Sequence, residues 1–424
     1  MPANSVEPEK TEGMGPLSTY RGLDLTAERG PLCARILADL GAEVIKVEPP
    51  QGDRGRSIGP FYQDVPHPEK SLHWFSYNSN KKSVTLDFRK KDGRDLLLRL
   101  VRKVDFVIES MPPGELDILH LDWPDLSRVN PLLVHTSITA FGSTGPKSRH
   151  AASDLTLMAA GGYMYMTGEE DRPPLRISAD QAWLHAAGEA AVATIVALLD
   201  RGATSLGQHV DVSAQASVVP CTVNAIPFRV MDGSILERSG SYRVGLTSAK
   251  QRQLWPCKDG YVIFYLAGGA FGASSNTAMA VWLEEEDLAD DFVRLIDWQS
   301  FDMATADAEV EDHLESLISC LFNRYTRSEL YERAIERGLT LCPVLSPAGI
   351  LQDVQLRSRD YWTQVSHEEF GRKFEYPGQF ARLTSAEMRT RRAPRIGEHN
   401  KAVYHNELGL SYEDLLALKQ VGVI

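Results

Sequence analysis

Two alternating spacings of hydrophobic positions run through the first third of the chain. "YRGLDLT" is a short apolar run typical of a strand. "GPLCARILADLG" has helical spacing, with Pro31 in its first turn and Gly41 at its end. "AEVIKVEPP" is a second strand, closed by Pro49 and Pro50. A strand, a helix and a strand within about 30 residues form a βαβ unit, which requires parallel strands.

The same pattern continues to about residue 145, with strands at "KKSVTLDF", "DFVIES" and "PLLVHTSITAF" and an amphipathic helix at "KDGRDLLLRLVRKV". It predicts an α/β fold with a Rossmann-like parallel-sheet large domain. Turn signals become frequent after residue 230, where we expect a smaller α/β or α+β domain. The predicted parts are a flexible N-terminal tail (1–17), the large domain (18–229), the small domain (230–345) and a C-terminal segment that returns to the large domain (346–424).

A lone carboxylate precedes the most apolar run in the chain. Residues 186–199 are apolar apart from Gly188, Glu189 and Thr194, at helical length, but the run is too short and too interrupted to span a bilayer. Asp180 stands at its head. Either Asp180 caps the helix, which is worth about 1 kcal/mol, or the helix holds this carboxylate for chemistry.

Charge and cysteine content narrow the class of protein. The 424 residues carry a net charge of −12, which repels a phosphate backbone and argues against general nucleic-acid binding. The five cysteines are widely spaced, without a C-x-x-C pair, so neither a zinc site nor a disulfide framework is expected. The polar N-terminus has no signal-peptide pattern. We expect a cytoplasmic protein that does not associate with membranes.

The first βα turn, from Thr26 to Pro31, contains Gly30 and a proline in place of G-x-G-x-x-G. Such a turn does not present the bare backbone N–H groups that hold a pyrophosphate. A nicotinamide or flavin cofactor is therefore not expected, and no Walker A or G-x-S-x-G motif is present.

Seven segments follow one another along residues 18–424: "GLDLTAERGPLCARILADLGAEVIKVEPPQGD", "NSNKKSVTLDFRKKDGRDLLLRLV", "DFVIESMPPGELDILHLDWPDLSRVNPLLVHTSITAFGSTGP", "GQHVDVSAQASVV", "CKDGYV", "GLTLCPV" and "APRIGEHN". Together and in this order they resemble the class III CoA-transferases, a family that includes formyl-CoA:oxalate and carnitine CoA-transferases and is related to α-methylacyl-CoA racemase. The resemblance implies acyl-CoA and a carboxylic acid as substrates, no metal, and an interlocked dimer, either a homodimer or a heterodimer with a related subunit.

The resemblance also implies roles for individual residues. "TGEEDRPPLRISADQAW" places Asp180 at the position of the family's nucleophile. An aspartate suits CoA transfer because it is ionised at neutral pH and forms first a mixed anhydride and then an aspartyl-CoA thioester. The nucleotide of CoA is expected to contact Leu86, Arg89 and Lys81, and the acyl pocket is expected to include Tyr163, Trp183 and His185.

Departures from the family pattern bear on the substrate. Arginines of the formyl-CoA branch are replaced by Pro49 and Ile118, and its first-turn glutamine by Glu28. These changes argue against formyl and oxalyl groups, so succinyl-CoA is the expected donor, with Arg243 or Arg252 as a candidate carboxylate contact. In the racemase branch a catalytic histidine stands where this chain has Ser153. A racemase or isomerase and a non-catalytic partner subunit remain the alternatives.

Overall fold

Six parallel strands form one sheet, which confirms the predicted fold class. The strand order is β3-β2-β1-β4-β5-β6, and each neighbouring pair is parallel. The order reverses between β1 and β4, as in a doubly wound Rossmann-like sheet. The bounds are β1 (Arg21–Asp24), β2 (Glu43–Glu48), β3 (Lys82–Thr85), β4 (Phe106–Glu109), β5 (Val134–Thr139) and β6 (Gln208–Ser213).

The computed structural model describes residues 15–223, 225–231, 233–244, 250–302, 306–386 and 388–424. Most of the predicted N-terminal tail, residues 1–14, lies outside this range. Its last residues do not behave as a tail, because Leu17 is buried and donates its N–H to Leu40 O at 2.9 Å.

The helices and the remaining strands are as follows. The helices are α1 (Pro31–Asp39), α2 (Leu72–Asn78), α3 (Lys91–Val101), α4 (Glu115–Ile118), α5 (Trp123–Val129), α6 (Asp154–Ala160), α7 (Ala182–Thr204), α8 (Ala214–Val218), α9 (Ala225–Met231), α10 (Gly269–Glu285), α11 (Asp291–Leu295), α12 (Ala308–Arg324), α13 (Arg327–Arg337), α14 (Pro347–Gln352), α15 (Val354–Ser358) and α16 (Tyr412–Gln420), with a π-helix at Lys401–Glu407. Short 3-10 turns lie at Arg54–Ser57, Tyr62–Asp64, Tyr163–Met166, Val219–Thr222 and Glu368–Phe370. The antiparallel strands are β7 (Tyr242–Val244), β8 (Lys250–Arg252), β9 (Leu254–Cys257), β10 (Gly260–Phe264), β11 (Leu341–Pro343), β12 (Trp362–His367) and β13 (Arg372–Pro377).

The described chain divides into two compact units by its contacts. The described residues of the first unit lie within 15–161, 177–221 and 355–424, and those of the second lie within 162–176 and 222–354. This division differs from the boundaries expected from sequence mainly at residues 162–176, which group with the second unit.

The core of the first unit is built from both ends of the chain. Leu23, Ile45 and Val84 of the central strands pack in one buried cluster with Tyr404 and Val423. The C-terminus also closes onto the sheet through its backbone, because Asp87 N donates to Val423 O at 2.7 Å. The second unit has its own core, in which β9, β10 and β11 pack against helices α10, α12 and α13.

Helix α7 has 23 residues and is longer than the apolar run from which it was predicted. Small residues on its buried face, including Ala186, Ala187 and Ala190, let it pack closely on α1 and β5. The Thr194 and Thr136 hydroxyls, 2.7 Å apart, join it to β5. By length and composition alone α7 is long and apolar enough to cross a membrane, which corrects the expectation drawn from the shorter run of residues 186–199. Half of its most apolar window is buried within the protein.

Candidate active site

Helix α7 begins just after Asp180, and a different carboxylate caps it. Its N-cap residue is Gln181, whose side chain makes no capping hydrogen bond. Asp154 Oδ1 instead accepts the backbone N–H of Gln181 at 2.9 Å and that of Ala182 at 2.7 Å. The alternative in which Asp180 caps this helix is therefore wrong, because the capping hydrogen bonds are accepted by Asp154.

The Asp180 side chain is exposed, and its carboxylate accepts no hydrogen bond from any residue that the structure describes. It lies beside the N-terminus of a 23-residue helix, where the helix dipole favours a negative charge. An ionised carboxylate whose oxygens have no protein partner is suited to attack a carbonyl carbon.

Two aromatic side chains of α2 lie within the field of Asp180. Burial lowers the pKa of His73, and the charges of Asp180, Asp53 and Glu28 oppose that shift. Burial and Asp180 both raise the pKa of Tyr77. The rings of His73 and Tyr77 are 4.7 Å apart, and His73 Nε2 is buried without a partner among the described residues. Sequence reasoning missed both residues, although their i, i+4 spacing in "SLHWFSYN" puts them on one helix face.

A cavity of about 590 Å³ opens at the carboxyl ends of β1 to β4. Ligands of doubly wound sheets bind at this edge, next to the point where the strand order reverses. Its wall includes Arg29, Arg54, Leu86, Arg89, Met111 and Glu115. Within this wall, Arg89 together with the apolar Leu86 and Met111 suits a nucleotide that carries phosphates.

The three residues expected to contact the nucleotide have different surroundings. Leu86 and Arg89 line this cavity, and Arg89 Nη2 donates to Glu115 Oε1 at 2.5 Å. Lys81 does not line it. Its buried Nζ donates to Asp24 Oδ2 at 2.8 Å, to Pro31 O at 2.9 Å and to Asn78 Oδ1 at 3.0 Å. The expected role of Lys81 is corrected, because these bonds use all three of its donors.

The buried charges around Asp24 shape the first βα turn. Asp24 Oδ1 accepts Thr26 N at 2.9 Å and Thr26 Oγ1 at 2.6 Å, and Lys46 Nζ donates to Thr26 O. Burial opposes the ionisation of Asp24, but the ammonium groups of Lys46 and Lys81 hold its pKa below the ordinary value. The turn then reaches α1 through Gly30, whose φ of 83° lies in the left-handed region that favours glycine.

Arg29 on this turn stacks on the start of α7. Its Cζ lies 5.0 Å from the ring centroid of Trp183, a cation–π contact. Trp183, an expected pocket residue, is 7% exposed and lies mainly in the core beneath Arg29. Sequence reasoning missed Arg29, since a single arginine in a turn carries no motif.

The other two expected pocket residues lie in separate units. His185 Nε2 is 3.6 Å from Cys221 Sγ, and both belong to the first unit. Tyr163 belongs to the second unit, where its carbonyl accepts Thr167 Oγ1 at 2.9 Å. The pocket roles of Tyr163, Trp183 and His185 stay predictions.

Two of the residues considered for carboxylate binding or racemisation, Arg252 and Ser153, make structural contacts. Arg252 stacks on Trp255 at 4.8 Å and pairs with Glu315 at 3.4 Å. Ser153 caps α6 in a reciprocal capping box with Thr156. Arg243 lies in β7 close to residues 245–249, which are outside the described chain.

Comparison with known proteins identifies the family. The sequence profile of CoA-transferase family III matches residues 21–400. The chain is 34% identical over 395 residues to succinyl-CoA:(R)-benzylsuccinate CoA-transferase subunit BbsE of Thauera aromatica, covering 91% of this chain and 93% of that one. It is 32% identical over 414 residues to succinyl-CoA–D-citramalate CoA-transferase of Chloroflexus aurantiacus, covering 96% and 98%.

A solved structure supports the same assignment. The crystal structure of a CAIB/BAIF family protein from Brucella suis matches with a TM-score of 0.78 and 27% identity, over 93% of this chain and 99% of that one. The chain belongs to CoA-transferase family III. It is an acyl-CoA:carboxylate CoA-transferase, so the predicted family and enzyme class are confirmed.

Proposed function

We propose that this enzyme moves CoA from succinyl-CoA to a second carboxylic acid and that Asp180 carries the CoA between them. The observation that supports this most is the exposed Asp180 carboxylate beside the N-terminus of α7, which has no hydrogen-bond partner in the described part of the chain. The capping bonds of Asp154 position the first turn of that helix without using the Asp180 oxygens.

The proposed steps conserve atoms and charge. A carboxylate oxygen of Asp180 attacks the thioester carbonyl and forms a mixed anhydride, and CoA leaves as the thiolate. The thiolate then attacks the Asp180 carbonyl, which forms an aspartyl-CoA thioester and releases succinate. The acceptor acid attacks that thioester, and the same two steps run in reverse to give the new acyl-CoA and the original carboxylate.

The choice of donor rests on the names of the relatives. Besides the benzylsuccinate and citramalate enzymes, they include succinyl-CoA:glutarate CoA-transferase of mouse and succinyl-CoA:mesaconate CoA-transferase of Haloarcula hispanica. Every acceptor in these four names is a dicarboxylic acid or its close derivative. We therefore propose a dicarboxylic acceptor, held with its acyl-CoA in the cavity that Arg89 and Leu86 line.

Intact-protein mass after brief incubation with succinyl-CoA tests this proposal. The wild type should gain a CoA-sized adduct that hydroxylamine removes, and Asp180→Ala should gain none. Asp171→Ala is the matched control, because Asp171 is an exposed carboxylate a few residues earlier in the chain. An adduct that persists in Asp180→Ala would refute the role of Asp180.

The assembly is also part of the proposal. BbsE is named as a subunit, so this chain pairs either with itself or with a related chain. Adduct formation by the purified chain alone, measured together with its mass in solution, separates the two cases. A chain that forms the adduct as a homodimer needs no second subunit, whereas an inactive monomer would support the heteromer.

A further inference from the structure

The guanidinium of Arg29 is held beside the start of the nucleophile's helix but has no partner for its terminal nitrogens among the described residues. A cation–π contact at 5.0 Å holds the group against the ring of Trp183. The neighbouring Glu28 approaches only the Arg29 Nε, at 4.0 Å, which is too long for a hydrogen bond. The Arg29 side chain is 42% exposed, so its outer N–H groups face open space.

Most other cations near the cavity are occupied. Arg56 forms two hydrogen bonds to Glu48, at 2.7 and 2.8 Å, in the core. Arg89 pairs with Glu115, and Lys46 and Lys81 are buried among acidic partners. Of these residues, Arg29 is the one that lies against α7. It contacts Trp183, which is three residues after Asp180 in the chain.

Its location decides which part of the substrate it meets. The thioester carbonyl must reach Asp180 to react, and Arg29 contacts Trp183, three residues further along the chain, so Arg29 lies toward the acyl end of the substrate. The phosphates of CoA are at the other end of the pantetheine arm. A succinyl group carries a second carboxylate only a few bonds from its carbonyl, and a planar guanidinium binds a carboxylate through two parallel hydrogen bonds.

We propose that Arg29 binds the distal carboxylate of a dicarboxylic acyl group and thereby selects dicarboxylic over monocarboxylic substrates. This inference rests on the proposed function and names its substrate class. In this proposal Trp183 is a positioning residue that acts through Arg29, because its ring contacts the guanidinium group.

Succinyl-CoA and butyryl-CoA provide the test, because they differ by the terminal carboxylate. The rate of CoA-adduct formation is measured with each for the wild type and Arg29→Met. The variant should lose roughly 10- to 100-fold with succinyl-CoA, the range expected for one charge-assisted pair, and change little with butyryl-CoA. Equal losses with both substrates, as a phosphate contact would produce, or an unchanged preference would overturn the inference.

Arg54→Met is the matched control, since Arg54 lines the same cavity on the Arg54–Ser57 turn. It should affect both acyl-CoAs alike. Trp183→Leu should lower the preference for succinyl-CoA part of the way and Trp183→Phe less, while neither should lower it further in an Arg29→Met background. Additive losses in that background would refute the positioning role of Trp183.

A readout without turnover separates failure of this inference from failure of the proposed function. Titration calorimetry compares the binding of succinate and butyrate to the wild type and to Arg29→Met, with CoA present. Selective loss of succinate binding supports Arg29 even if no adduct forms from succinyl-CoA. A normal adduct with no difference between the two acids leaves the transferase chemistry intact and rejects Arg29.

Discussion

The carboxylate of Asp154 accepts the backbone N–H of Ala182 at 2.7 Å, across 28 residues of chain. This bond, with the companion bond to Gln181 N, caps α7 from outside the helix. Asp180 directly precedes Gln181, and its exposed carboxylate accepts no hydrogen bond from the residues that the structure describes. Removing the cap should therefore disturb the position of Asp180, the proposed nucleophile, without removing its carboxylate.

Asp154→Ala should lower the free energy of unfolding by about 1–2 kcal/mol, as for other lost helix caps. It should also slow CoA-adduct formation at Asp180, because the first turn of α7 loses its anchor. Urea unfolding and adduct kinetics measure the two effects. Ser153→Ala is the control: it removes the cap of α6, with a similar loss of stability expected. Equal slowing by both variants would indicate general destabilisation.

Arg89 and Glu115 should have opposite effects on CoA affinity. Because Glu115 holds the Arg89 guanidinium at 2.5 Å, Glu115→Gln should release it and tighten CoA binding roughly twofold to fivefold. Arg89→Ala should weaken binding about tenfold, and less at high salt. Titration calorimetry with CoA and with 3′-dephospho-CoA measures both.

The dephospho ligand identifies the contact. If Arg89 binds the 3′-phosphate, its loss should matter only for CoA. Lys91→Ala is the control, because Lys91 is 81% exposed and pairs with Asp95 on α3. A loss of affinity as large in Lys91→Ala would mean that general surface charge, not the Arg89 contact, is responsible.

His135 should make the protein less stable as the pH falls. Burial lowers its pKa to about 3 from 6.5, and His209 adds to the shift. The folded protein holds His135 in its neutral form. The contribution of His135 to the free energy of unfolding is therefore fully present above the unfolded pKa of 6.5 and is lost as the pH falls toward 3. Between pH 7 and pH 5 the loss is about 2 kcal/mol. The stability difference between wild type and His135→Leu, from urea unfolding, should shift by this amount.

Glu109 should act in the opposite direction over the same range. Burial raises its pKa from 4.5 to about 7, against hydrogen bonds from Ser137 and Met111 N. Its contribution is present below the unfolded pKa and is lost as the pH rises through about 7. Through Glu109 the wild type should lose about 2 kcal/mol of its free energy of unfolding between pH 5 and pH 7, and Glu109→Gln should not show this loss. These assignments would be contradicted if the stability difference from the wild type changed with pH in the same direction for His135→Leu and Glu109→Gln.

Cys221 should be the cysteine whose alkylation depends on a histidine. Its Sγ lies 3.6 Å from His185 Nε2, which is placed to accept the thiol proton. His185→Ala should slow iodoacetamide labelling of Cys221 roughly threefold to tenfold and leave the exposed Cys320 and Cys342 unchanged. If His185 lines the acyl pocket, bound succinyl-CoA should also slow the labelling of Cys221. Peptide mass spectrometry reads all three sites.

The local pattern of the chain determined the secondary structure around the sheet, and the resemblance to the family predicted Asp180 as the nucleophile. The βαβ unit from Arg21 to Glu48 could be read directly, since hydrophobic spacing and the Pro31 and Gly41 signals act within a few residues. The enzyme class could likewise be predicted from the family motifs, because they follow one another along the chain in the family's order.

Tertiary structure alone decided which side chains meet. Lys81 looked like a nucleotide contact but is neutralised in the core by Asp24, 57 residues away. Asp154 rather than Asp180 caps α7, and Arg29 finds its aromatic partner in Trp183. Each of these pairs joins residues that are remote in sequence, and the periodicity of a single segment holds no information on such contacts. They form only when the sheet and its helices pack, where burial makes an unpaired charge costly.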